Sequence, residues 1–411
     1  MIIENRIKEF EKLGFGMFVH FGLYSLLGRG EWALHHLRDD EKKISEYNAM
    51  AKTFNPKPDW ADELARVARD AGAKYITITT RHHDGFSLYD TKGLSDFDAP
   101  HSAAGRDLIR EFVDACRKYG IIPFFYHTLL DWYVPEYNTD FKAYLKYLRR
   151  SVEVLCTEYG KIGGIWFDGM WNKPEEDWEE DAMYSMIRSH QPDAMIINNT
   201  GLSARGALGH IELDSVTFER GRPQPINMAD SPKYIASEMC QIFASHWGYA
   251  KLDFNFKSMA EIITDFAICR RYGSNFLLNV GPMGDGSIRG LDREMLLTLG
   301  EWAAINKEAL YIPRPTDISV IDKENDFLLA RDDCYYLFCH GLKMRGDSNV
   351  ALEEKANYTS SFYLPKEPKS ITWLDSGEEI SYEHTGDRIT LNLKPFKYGE
   401  DYVVRVAKIE I

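Results

Sequence analysis

The sequence lacks the features that would place it in several broad classes. No Cys-x-x-Cys pair occurs. The six cysteines, Cys116, Cys156, Cys240, Cys269, Cys334 and Cys339, show no zinc-ligand spacing, and most lie in apolar surroundings as buried free thiols do. No apolar run approaches the length of a membrane span, and Met1-Ile2-Ile3-Glu4-Asn5-Arg6 has no apolar signal core. A cytoplasmic location and no membrane partner are therefore expected. Positive charge is in deficit: the formal net charge of −14 argues against a nucleic-acid partner, which would want a basic face. There is no Gly-rich phosphate turn after the first strand-like stretch, no internal repeat and no low-complexity tract.

What is present is ample core material. The chain has 411 residues, too many for one ordinary domain, with 44% hydrophobic and 27% charged residues. Up to about residue 312, strand-like and helix-like segments alternate. Phe15 to His20, Lys74 to Thr80, Ile121 to His127, Gly163 to Asp168, Met195 to Asn199, Val216 to Arg220, Tyr234 to Glu238 and Asn275 to Pro282 read as strands. Helical spacing appears between them, for instance at Trp60, Leu64, Val67 and Ala71, closed by Gly72. Eight such strands, polar only at their C-terminal ends, imply an α/β (β/α)8 TIM-like barrel over residues 1–312. From 313 to 411 the texture changes to short alternating runs such as Cys334 to Cys339 and Arg388 to Leu393, split by turn signals such as Asp375-Ser376-Gly377. This implies a C-terminal antiparallel β-sandwich.

The polar strand ends are the candidate site. His20, His82, His83, His127, Asp168 and Asn199 all fall at the C-terminal ends of expected strands, and Trp32, Trp132 and Trp247 lie in the adjoining loops. Such a rim is where a barrel carries its chemistry. A barrel metal site would favour His-x-His, because alternate strand residues share a face; His82 and His83 are adjacent, so no metal and no cofactor are expected. Imidazoles and tryptophans instead suit the hydroxyls and C–H faces of a sugar.

These stretches resemble family 29 glycoside hydrolases, the α-L-fucosidases. The resemblance is carried by Phe15-Gly16-Met17-Phe18-Val19-His20-Phe21-Gly22, Glu31-Trp32, Arg81-His82-His83-Asp84-Gly85-Phe86, Trp166-Phe167-Asp168-Gly169, Trp247-Gly248-Tyr249 and Leu277-Leu278-Asn279-Val280-Gly281-Pro282. It implies a retaining exo-α-L-fucosidase acting on fucosylated oligosaccharides or fucosides. Asp168 would be the nucleophile, with His127 or a tryptophan N–H as its donor. His20, Glu31, Trp32, His82, His83 and Trp247 would line the sugar pocket, with Phe21 or Phe276 facing the C5 methyl group. A retaining reaction also needs an acid/base carboxyl within about 5 Å of the nucleophile. Glu219, at the end of the sixth strand, is preferred over Glu238, Glu212 and Asp214. A retaining glycosidase for an α-galactoside-like sugar and a non-catalytic sugar-binding protein are the alternatives, and homo-oligomerisation stays open.

Overall fold

The computed structural model describes residues 3–199, 202, 204–229, 231–344 and 358–411. Eight parallel strands close into a barrel in sequence order: β1 Phe15–Val19, β2 Tyr75–Arg81, β3 Ile122–Thr128, β4 Gly164–Asp168, β5 Met195–Asn198, β6 Ser215–Glu219, β7 Ala236–Ile242 and β8 Asn275–Val280. β8 pairs back onto β1, which leaves no free edge. The fold class expected from the alternation is therefore the one observed. β7 differs in extent. It runs to Ile242, so Glu238 sits in mid-strand and not at the rim.

Inward positions follow the two-residue period of each strand. Phe18, Tyr75, Phe124, Tyr126, Trp166, Met195, Ile197, Ala236, Cys240 and Leu277 form one buried cluster inside the barrel. Ile7 and Phe10, from the helix Asn5–Leu13, join it. Gly164 has space only for hydrogen: a Cβ there would lie 2.6 Å from the Met195 carbonyl oxygen. Between strands run the helices Trp60–Asp70, Leu108–Lys118, Phe141–Glu158 and Glu180–His190. A further helix, Glu41–Ala49, escaped sequence reading because it buries only Tyr47 and so shows no apolar period.

The barrel joint between β5 and β6 is thin, with one paired position, Ile197 opposite Ser215. Asp214, just before β6, reinforces it. Its buried carboxylate accepts the Ile196 N–H at 2.9 Å, and Arg6, Arg188 and Lys233 converge on it at 3.0, 2.5 and 3.0 Å. Despite the cost of burial, these cations hold its pKa below the usual carboxylate value. An ionised group of this kind is unsuited to general-acid work, which removes Asp214 from the acid/base candidates.

The later strands form two antiparallel sheets. One has the order β13-β16-β11-β10-β9 and the other β12-β15-β14. The strands are β9 Arg314–Pro315, β10 Phe327–Arg331, β11 Cys334–His340, β12 Tyr358–Tyr363, β13 Ser370–Trp373, β14 Tyr382–Thr385, β15 Arg388–Leu393 and β16 Val404–Glu410. Leu337, Phe362, Ile371, Trp373, Leu391 and Ile409 belong to their common core. By compactness the chain divides into Met1–Lys257 with Asn275–Leu297, and Ser258–Ser274 with Thr298–Ile411.

Asp214→Asn is expected to destabilise the barrel by about 3–5 kcal/mol, because three cations then face a neutral amide. The midpoint of urea unfolding checks this; an unchanged midpoint would contradict the stitching role. The contribution should be complete above the unfolded carboxyl pKa of about 4 and fade as pH falls below it, since the folded value is depressed.

Candidate active site

A pocket of about 440 Å³ opens at the C-terminal end of the barrel. It is lined by Phe18, His20, Trp32, His82, His83, Tyr126, Trp166, Asp168, Trp171, Leu202, Glu219, Cys240 and Trp247. Eight of these come from the strands or the residue just beyond a strand end. Asp168 ends β4, and Gly169 follows it with φ 102°, where a side chain would be strained and would also meet the Leu130 backbone nitrogen at 2.7 Å. That turn releases the chain from the barrel immediately behind the carboxylate.

Three donors orient Asp168. The Tyr126 hydroxyl reaches Oδ2 at 3.0 Å, while the Trp171 indole N–H and the Asn199 amide reach Oδ1 at 3.2 and 3.4 Å. The same Asn199 nitrogen donates to Glu219 Oε2 at 2.6 Å. Asn199 is itself fixed, because its oxygen accepts the Thr217 hydroxyl at 2.8 Å. Burial, then the nearby Asp168 carboxylate, push the Glu219 pKa up to about 7, while the Asn199 donor opposes the rise.

The histidines are neutral acceptors. His20 Nδ1 lies 2.7 Å from Asn279 Oδ1, and the Asn279 amide nitrogen donates to the Trp247 carbonyl at 2.7 Å. That second bond fixes the amide orientation, so His20 carries its proton on Nδ1 and offers Nε2 as an acceptor. His83 follows the same logic. The Thr128 hydroxyl donates to the Leu130 carbonyl, so it accepts from His83 Nδ1 at 2.6 Å. His83 Nε2 then faces Asp168 Oδ2 at 3.6 Å. Burial lowers the His83 pKa to about 4 against the pull of Asp168, and lowers that of His20 to about 3. Two acceptors facing each other call for a shared donor, such as a substrate hydroxyl.

His82 and His83 both line the pocket although they are adjacent in sequence. β2 carries a register irregularity between Thr79 and Arg81, and both histidines lie beyond the strand end, where strand alternation no longer applies. His82 stacks on Tyr126, with centroids 5.6 Å apart and 13° between planes. Trp32 stacks on Trp171 at 5.9 Å, and Trp247 lies 5.1 Å from His20.

Several expectations need correction. His127 is buried outside the pocket, with Nδ1 3.0 Å from Thr80 Oγ1 and its ring 6.1 Å from Tyr89. It has the wrong strand parity: Tyr126 faces inward and is the donor to Asp168. Glu31 is buried and its Oε2 accepts the Gly248 N–H at 2.8 Å, tying its loop to the one that carries Trp247. Phe21 packs on Phe54 and Trp60, and Phe276 on Phe15, so neither supplies the apolar wall; Phe18, Tyr126 and Trp166 do. Glu238 lies in the barrel interior, bound by Trp166 and Tyr75. Glu212 sits by Arg188 at 3.7 Å, away from the pocket lining. Sequence reading missed Phe18, Tyr126, Trp166, Trp171, Leu202 and Cys240 as lining residues. Two-residue parity with Asp168 or Phe124 marks Trp166 and Tyr126, whereas nothing local marks Trp171.

Acid-assisted cleavage of a sugar linkage needs one carboxyl that keeps its proton near neutrality and a second within reach of the same anomeric carbon. Two carboxyls among aromatic rings at the mouth of a (β/α)8 barrel suit that chemistry, and the chain is a glycoside hydrolase. The chain belongs to the α-L-fucosidase family, whose model matches residues 4–308. It is 30% identical to the tissue α-L-fucosidase of Mus musculus over 332 residues, 74% of this chain and 71% of that protein. Among solved structures, α-L-fucosidase isoenzyme 1 from Paenibacillus thiaminolyticus superposes with a TM-score of 0.81 at 27% identity, covering 99% of this chain and 98% of that one. A family 29 α-L-fucosidase from Bacteroides thetaiotaomicron, solved as a trapped covalent intermediate, shares the fold with a TM-score of 0.80 at 23% identity, covering 100% of this chain and 96% of that one. Among the described residues, no helix is long and apolar enough to cross a membrane.

Replacing Asn199 by Ala removes the donor that holds the Glu219 pKa down, so that pKa should rise above about 7. A carboxyl titration by 13C NMR on glutamate-labelled protein checks this. A fall or no movement would contradict the shared-amide geometry.

Proposed function

We propose that this pocket hydrolyses terminal α-L-fucosides with retention of configuration, with Asp168 as nucleophile and Glu219 as acid/base. The observation that carries the reading is the Asn199 nitrogen serving both carboxyls, at 3.4 and 2.6 Å. One amide nitrogen in contact with both carboxyls keeps them close together, as a covalent mechanism requires, whereas an inverting pair stands about 6.5–9.5 Å apart to admit a water. In the first step Asp168 Oδ attacks the anomeric carbon as Glu219 gives its proton to the departing oxygen. In the second, Glu219 takes a proton from water, which attacks the same carbon and releases fucose and Asp168. The raised Glu219 pKa suits the first step, and its fall as Asp168 loses charge in the intermediate suits the second.

The neutral imidazoles of His20 and His83 would accept hydrogen bonds from ring hydroxyls, while Phe18, Tyr126 and Trp166 offer an apolar face to the C5 methyl. Glu31 would act through the loop it fastens. We assign the barrel to residues 1–312 and the β-sandwich to 313–411, on the change from parallel to antiparallel pairing between β8 and β9. The six cysteines, none in a disulfide and five of them buried, support a reducing, cytoplasmic setting. Fucosylated glycans or fucosides would be the substrates.

Hydrolysis of an aryl α-L-fucoside tests the roles. Asp168→Ala should lose at least about a thousandfold in rate. Glu219→Ala should be rescued in part by azide, giving an azide product that keeps the substrate's anomeric configuration, because the small anion needs no general base. No turnover by the native protein would end the reading, and absence of rescue at Glu219 would overturn the acid/base assignment.

A further inference from the structure

Glu238 is an ionisable group where the fold alone would not want one. It lies in the middle of β7, buried, with Ala236 and Cys240 of the same strand face inside the apolar barrel cluster. Its two hydrogen-bond partners are both neutral donors. The Trp166 indole N–H reaches Oε1 at 3.0 Å, and the Tyr75 hydroxyl donates to Oε2. Burial raises its pKa to about 7 against those two bonds. A buried ionisable side chain without a countercharge costs stability, and an apolar residue of similar size commonly serves a core as well or better. The carboxyl therefore asks for a reason beyond packing.

The contacts supply one. Trp166 and Asp168 share the inward face of β4, and Trp166 lines the pocket. Its indole stacks on Tyr126, with centroids 5.7 Å apart and 18° between planes, and the Tyr126 hydroxyl donates to Asp168 at 3.0 Å. Phe18 presses edge-on against the indole at 5.3 Å and also lies 6.0 Å from Tyr126, so the three rings pack on one another. Ring contacts of this kind have little directionality within the indole plane; the N–H bond to Glu238 adds it.

We propose that Glu238 is a positioning residue that sets the Trp166 indole at the inner wall of the pocket and, through the Trp166–Tyr126 stack, the carboxylate of Asp168. The proposal goes beyond the hydrolytic reading but rests on it for the role of Asp168. It gives Glu238 no contact with the sugar and no proton to transfer. A carboxylate suits the post because both oxygens accept, so two converging donors are met at once. Glutamine keeps one strong acceptor and methionine offers only a weak thioether sulfur.

The test uses the full chain with Glu238→Gln, Glu238→Met, Trp166→Phe and the Glu238→Met/Trp166→Phe double variant. Rates on an aryl α-L-fucoside are taken per active site titrated with 2-deoxy-2-fluoro-α-L-fucosyl fluoride, which separates loss of folded protein from loss of function. Glu238→Met should lower kcat at least about tenfold, as expected for a sub-ångström to ångström displacement beside the reacting groups, and Glu238→Gln should recover most of it. In the Trp166→Phe background, Glu238→Met should cost less than about twofold more, because the N–H it serves is gone. A native kcat per titrated site in Glu238→Met, or equal losses in both backgrounds, would overturn the proposal. Should the native protein show no turnover, the hydrolytic reading fails on its own. The 15N-indole resonance of Trp166, assigned with Trp166→Phe, then decides this one: it should shift upfield in Glu238→Met, and an unmoved resonance would contradict the contact.

Discussion

The amide of Asn199 stands between the two carboxyls of the pocket, 2.6 Å from Glu219 and 3.4 Å from Asp168. Thr217 donates to its oxygen, so its nitrogen has to face the carboxyls. The separation of the pair is thus set by how β5 and β6 sit against each other. That joint has a single paired position, and at its other end the Asp214 carboxylate gathers Arg6, Arg188, Lys233 and the Ile196 N–H. A charge cluster at the N-terminal mouth of the barrel therefore supports the geometry of two carboxyls at the C-terminal mouth. Stability and chemistry occupy opposite ends of the same strands, as the architecture commonly arranges them.

The electrostatics of the pocket follow from burial. His20, His82 and His83 all have lowered pKa values because imidazolium is poorly solvated there, and their Nδ1 protons, where the partners are seen, go to Asn279 and Thr128. The result is a wall of acceptors beside a carboxylate. Such a wall is poorly satisfied by itself and well satisfied by a ligand rich in hydroxyl donors. Aromatic rings, with Leu202 and Cys240, supply the apolar part of the lining, so the pocket combines the two surfaces of a deoxy sugar, hydroxyl edge and apolar edge.

Much of this was legible in the sequence. The barrel, its eight strands and the position of Asp168 follow from alternation and from strand ends. Glu219 stood out because its strand ends there. The failures have physical causes. Proximity to a strand end points to His127, but parity favours Tyr126, one residue earlier, which shares the inward face with Phe124. Glu238 looked like a rim residue because Ser237 and Gln241 hide the true length of β7, which runs four residues further to Ile242. The paired histidines defied alternation because β2 loses its regular register after Thr79. Trp171 reaches Asp168 from a short 3-10 turn, and the helix Glu41–Ala49 buries only Tyr47; neither carries a period that a sequence could display.

The central claim is that Asp168 bonds covalently to the sugar during turnover. Incubating the protein with 2-deoxy-2-fluoro-α-L-fucosyl fluoride, whose fluorine slows release of the intermediate, and mapping the labelled peptide by mass spectrometry tests this directly. The expected result is one 2-deoxy-2-fluorofucosyl adduct per chain, on Asp168. A label on another carboxylate, or no adduct from protein that readily hydrolyses an aryl fucoside, would contradict it.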